Sequence, residues 1–154
     1  MKPKGISPKK EKGQSLVEFA VSFVVIIMIL VAVADFGRAL LTWLAMRDAA
    51  QEAAVYGSIC PNNLPNIVDR ARSSSSGPVV DLNSPDIDVV CEYFVSGLPA
   101  CGSVPAVPGT SLRITVLYPN FQLTTPLLGS ILGSQTIPIR ATVMDTILRN
   151  DNCP

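Results

Sequence analysis

The chain is 154 residues long, 48% hydrophobic and 16% charged, and contains no histidine. Twelve Lys+Arg offset twelve Asp+Glu, so the basic stripe that a nucleic-acid backbone demands is missing, and with it the expectation of a nucleic-acid partner. Lacking histidine, the chain also lacks the commonest general base and metal ligand; an enzyme, a metal site and a small-molecule substrate are not expected, and no cofactor is.

The distribution of charge says more than its sum. All five lysines, Lys2, Lys4, Lys9, Lys10 and Lys12, lie before residue 13 and only Glu11 opposes them, so a leader over residues 1–13 is net +4 and the remainder net −4. No proline occurs between Pro8 and Pro61, which makes this stretch helical country. Inside it, Phe19 to Ala34 carries no charge and one hydroxyl, Ser22, between Glu18 and Asp35. With Leu16, Val17 and Phe36 added, a membrane span over about 17–36 reaches the roughly 20 apolar residues that cross a bilayer. The lysines predict that its N-terminal side stays in the cytoplasm and the rest is exported.

Beyond Asp35 the pattern becomes amphipathic, with Phe36, Leu40, Trp43, Leu44 and Val55 apolar and Arg38, Arg47, Asp48, Gln51 and Glu52 polar. Ala45, Ala49, Ala50, Ala53 and Ala54 favour helix and Gly57 offers a stop, so one helix over 14–57, on the order of 60 Å long, is predicted to run on from the membrane as a stalk.

From residue 58 to 154 an exported α+β domain is expected. A short helix over Pro65 to Arg72 is followed by a linker over Ser73 to Pro78. Three alternating runs predict a small antiparallel sheet: Ile87, Val89, Cys91, Tyr93 and Val95; Leu112, Ile114, Val116 and Tyr118; and Ile137, Ile139, Ala141 and Val143. Thr125 to Gly133 reads as an apolar turn or one-turn helix that covers the sheet or meets lipid. Asp81, Asp86 and Asp88 read as a solvated face rather than a calcium site.

All four cysteines, Cys60, Cys91, Cys101 and Cys153, fall in the exported part. No CxxC spacing suggests zinc, and export favours disulfides over free buried thiols. Cys91 with Cys101 would close a short loop; Cys60 with Cys153 follows by exclusion.

The junction Lys12-Gly13-Gln14-Ser15-Leu16-Val17-Glu18-Phe19 sets basic residues, a glycine, four residues and a glutamate before the apolar run. It resembles prepilin signals, which a membrane aspartyl peptidase cuts after the glycine. Asp35-Phe36-Gly37-Arg38-Ala39 and Ala49 to Gly57 extend the likeness to TadE-like proteins, minor pilin-like components of the Flp/Tad pilus system, over about Gly13 to Gly57. The resemblance implies a pilin-like fold, processing between Gly13 and Gln14, and assembly roles for Glu18 and Phe19. It also implies other pilins, pilus assembly proteins, the prepilin peptidase and membrane lipid as partners, and a place in the cytoplasmic membrane or in an extracellular adhesive pilus.

A glutamate at the edge of a hydrocarbon core costs roughly 1 to 3 kcal/mol. Cleavage would create an ammonium at Gln14 able to pair with Glu18 of the same or a neighbouring subunit; the simpler alternative is a glutamate that snorkels to water beside Lys12. Asp35 and Arg38 could pair across one turn, as assembly contacts or as membrane-edge charges. Two other organisations stay open: signal-peptidase cleavage after Ala32-Val33-Ala34, releasing a secreted domain, or an uncleaved single span bearing a binding domain unrelated to pili.

Overall fold

A computed structural model describes residues 13–74, 80–94, 101–102, 105–125, 129–130, 133–149 and 153. The basic leader up to residue 12, most of the predicted linker, Val95 and part of the apolar segment over Thr125 to Gly133 lie outside the described residues.

The chain forms helix α1 (Gln14–Ile59), helix α2 (Leu64–Ser73) and strands β1 (Asp88–Phe94), β2 (Ser111–Gln122) and β3 (Thr136–Thr146). The strands make an antiparallel meander in the order β1-β2-β3. This is the expected α+β arrangement. Helix α1 has 46 residues, about 69 Å of helix at 1.5 Å per residue. It passes Gly57 by two residues, and the Cys60 N–H closes it on the Tyr56 carbonyl. Asn63 caps α2 by accepting from the Asn66 N–H, Pro65 occupies the first turn, where a missing N–H costs nothing, and Arg70 and Arg72 sit at the negative end of the helix dipole.

The alternating apolar residues of the strands form the face turned to the helices. Ile87, Cys91, Tyr93, Leu112, Ile114, Val116, Ile139 and Ala141 are buried together. The opposite face carries Glu92 and Arg113, paired at 4.0 Å across β1 and β2, and a Thr115–Thr142 hydroxyl contact. Tyr118 pairs with Ile139 and Phe121 with Ile137, so Pro119 and Asn120 stand opposite Pro138 alone. That two-against-one bulge falls where proline cannot donate to the ladder, and bulges bend the strand that holds them.

Helix α1 meets the sheet through its small residues, which reverses the amphipathic reading. Met46, Ala49, Ala50, Ala53, Ala54 and Gly57 are buried, whereas Phe36, Leu40, Trp43, Leu44 and Val55 face outward. The sheet approaches so closely that a Cβ on Gly57 would stand 2.5 Å from a Leu112 methyl. Large side chains cannot enter such a contact and are left outside. The predicted stalk is therefore half core: its inner face completes the sheet domain.

Two disulfides close the domain, Cys60–Cys153 across 93 residues and Cys91–Cys101 across 10. Around the first, Leu148 N–H donates to the Ser58 carbonyl, Tyr93 Oη donates to the Pro61 carbonyl, and Ala106 N–H donates to Asn62 Oδ1. Burial pushes the Tyr93 phenol above its ordinary range, so it stays a neutral donor.

Gly57→Val should lower stability by about 1 to 3 kcal/mol through overpacking against Leu112, read as a lower melting temperature of the detergent-solubilised protein. Loss of the Cys60–Cys153 bridge in a paired Cys→Ser variant should cost about 4 to 5 kcal/mol, against about 3 for Cys91–Cys101, because it closes the longer loop; chemical denaturation of the two paired variants gives the ranking.

Candidate functional site

The sequence singles out two ends of one apolar run, and the structure gives them different surroundings. At the N-terminal end Gly13 precedes the helix, and Val17 N–H bonds back to its carbonyl. Gln14 and Glu18 lie one turn apart on a fully exposed helix surface with Val17, Val21 and Ser22. Phe19 stacks on Phe23 with ring centroids 6.0 Å apart, both rings exposed. Among the described residues Glu18 has no ion-pair partner.

From Leu16 to Leu30 every residue is exposed. Helix α1 is long and apolar enough to cross a membrane, and none of its apolar window is buried in the fold. In water such a surface would cost tens of kcal/mol at about 25 cal/mol per Å²; lipid or the apolar surfaces of neighbouring helices would cover it.

Asp35 ends the run, and here the structure places what the sequence does not announce. The carboxylate is 2% exposed. It accepts from Thr124 N–H at 3.2 Å, from Thr125 N–H at 2.8 Å and from the Thr125 hydroxyl. Arg38, three residues on, brings Nη1 to 3.5 Å from the same carboxylate, donates from it to Thr124 Oγ1 at 2.6 Å, and lays its guanidinium 5.5 Å from the centre of the Phe121 ring. Asp35 and Arg38 are thus a pair, but one turned inward. They latch the chain leaving β2 onto α1 at the last turn before the apolar segment.

Thr124 and Thr125 were not singled out beforehand. Their neighbourhood is set by the β2 bulge and the strand register, which a pair of adjacent threonines before a proline does not reveal. The segment they open shows helical backbone at 129–130, while 126–128 and 131–132 lie outside the described residues. The aspartates read as a solvated face behave so in part: Asp81, Asp86 and Asp88 are exposed, and Asp81 Oδ1 closes a turn on the Asn83 N–H at 2.9 Å. Among the described residues no group of three or more His, Cys, Asp or Glu could hold a metal.

The helix that carries both ends is also the part of the chain that resembles known proteins. Residues 13–55 match the family model for TadE-like protein. The chain is TadE-like. The match begins at Gly13, immediately before α1, and ends at Val55 inside it, so it covers both site ends and none of the strands. No curated protein and no solved structure matches the chain. The TadE-like match relates the chain to the Tad pilus, associates it with pilus components in general, and belongs to a family of structural components rather than enzymes.

Asp35→Ala should lower stability by about 2 to 4 kcal/mol, because the Thr124 and Thr125 amides would be left without their acceptor. Asp35→Asn, which keeps one carbonyl oxygen, should cost less. Limited proteolysis resolves the effect, with cleavage after Phe121 appearing in the alanine variant before the rest of the domain is cut.

Proposed function

We propose that this TadE-like chain is a minor pilin or pseudopilin: a membrane-inserted prepilin, cut after Gly13 by a separate prepilin peptidase, that acts structurally in Flp/Tad pilus assembly. The observation that carries the reading is the coincidence of three boundaries. The family match starts at Gly13, the helix starts at Gln14, and the basic leader ends at Lys12. A peptidase that reads a flexible basic leader and an apolar helix would find its cut site between them.

The N-terminal side lies in the cytoplasm by the positive-inside bias and the sheet domain lies outside, where both disulfides can form. Assembly is mediated by the helix. In the membrane its whole circumference is open to neighbouring helices, and beyond it the outward stripe of Phe36, Leu40, Trp43 and Leu44 offers a continuous apolar surface. Glu18, four residues after the new N-terminus at Gln14, pairs with that ammonium or with a neighbour's, which offsets the cost of placing a carboxylate at the hydrocarbon edge.

The latch weighs against cleavage after Ala34. Helix α1 continues through that point without a break, and Asp35, which would become the first residue, is buried in contacts with Thr124 and Thr125. The mature N-terminus, read by intact mass and peptide sequencing from native membranes, decides among the readings. Gln14 is expected; Asp35 would mean a secreted domain, and Met1 an unprocessed anchor. Gly13→Ala should block processing. Glu18→Ala should leave processing largely intact and reduce pili on the cell surface, and undiminished piliation in that variant would remove the assembly role of Glu18.

A further inference from the structure

Immediately beyond the latch a groove of about 290 Å³ opens between α1, the segment over 80–87 and the end of β2. Arg38, Thr42, Asp81, Ser84, Tyr118 and Gln122 give it a polar lining. We propose that it binds the headgroup of a membrane phospholipid that carries both a phosphate and a primary ammonium, as an ethanolamine headgroup does. This rests on the reading that residues 17–36 span the membrane.

Depth is the first argument. With the hydrocarbon core ending at Asp35 and Phe36, Arg38 and Thr42 stand roughly 3 to 10 Å beyond it at 1.5 Å per residue. A headgroup layer is about 5 to 7 Å thick on each side of a bilayer, so the groove opens at its level. Tyr118 and Phe121, beside it, are the kind of side chains that gather at that level.

Chemistry is the second. Arg38 is held by Asp35, Thr124 and Phe121, and both polar contacts use Nη1. A guanidinium has five N–H donors in a fixed fork, so Nε and Nη2 remain for two phosphate oxygens. Thr42, 1% exposed and lining the groove, has no hydrogen-bond partner among the described residues; its hydroxyl can donate to a third oxygen. An anion alone would meet the Asp81 carboxylate at the same groove. A zwitterion satisfies both charges, its ammonium donating to Asp81 and Ser84 while its phosphate lies on Arg38. The acyl chains then run down the exposed side chains of Val33 and Phe36, which are 61% and 71% exposed.

The test uses the full chain in nanodiscs made from equal amounts of phosphatidylethanolamine and phosphatidylcholine, released into detergent, with retained lipid read by native mass spectrometry. Phosphatidylethanolamine should be retained about tenfold over phosphatidylcholine, whose quaternary ammonium cannot donate to a carboxylate. Asp81→Asn, which keeps the turn to Asn83, should bring the ratio to about one without moving the melting temperature. Equal retention by the unaltered protein, or a preference that survives Asp81→Asn, overturns the proposal. Soluble glycerophosphoethanolamine binding as tightly as the whole lipid would assign the groove to a free phosphate ester and overturn the membrane source. A chain that does not stay in the bilayer overturns the spanning reading as well, whereas a chain that stays without lipid preference overturns the headgroup site alone.

Discussion

One buried carboxylate joins the two halves of this molecule. Asp35 sits where an apolar helix surface stops and a packed domain begins, and it accepts three hydrogen bonds from Thr124 and Thr125. A charge removed from water is tolerated only when its oxygens are satisfied, and here backbone amides and a hydroxyl satisfy them, with Arg38 one turn away. The latch sets where the chain leaving β2 can go, how low the sheet domain reaches along the helix, and where Arg38 points. A neutral side chain at this position would leave that placement to weaker packing.

At the other end of the packed half, the Cys60–Cys153 bridge, the Tyr93 hydroxyl and the Leu148 amide hold the domain to the end of α1. The domain is clamped at two levels, near residue 35 and near residue 60, about 38 Å apart along the helix. Between them Ala49, Ala50, Ala53, Ala54 and Gly57 let the sheet lie close. Helix and sheet domain therefore form one body, with α1 contributing a third layer beneath the sheet. Force or rotation applied to the apolar half is passed to the sheet without a hinge.

Much of this was legible in the sequence. The absence of proline from Lys9 to Cys60 foretold one long helix, and the alternation at Leu112, Ile114 and Val116 foretold which sides of the strands are buried. The side of α1 that packs was not legible, because hydrophobic patterning favours large residues as the core face, whereas close approach to a sheet selects for small ones. The latch was half legible: a charge ending an apolar run is visible, but its partners lie some 90 residues away and reach it through strand register and a proline bulge. The TadE-like motif identified the helix end that evolution has kept recognisable, and that motif ends before the strands begin.

The bridge from Cys60 to Cys153 also imposes an order in time. Cys60 leaves the ribosome long before its partner, and β3, which covers much of the inner face of α1, follows β1 and β2. Until those last residues arrive, the alanine face and two thiols are uncovered, and Cys60 can meet Cys91 or Cys101 first. Thiol pairing in this domain is therefore a race that the native pair enters last, and a disulfide isomerase working on the newly made chain would correct the early, shorter-range mistakes.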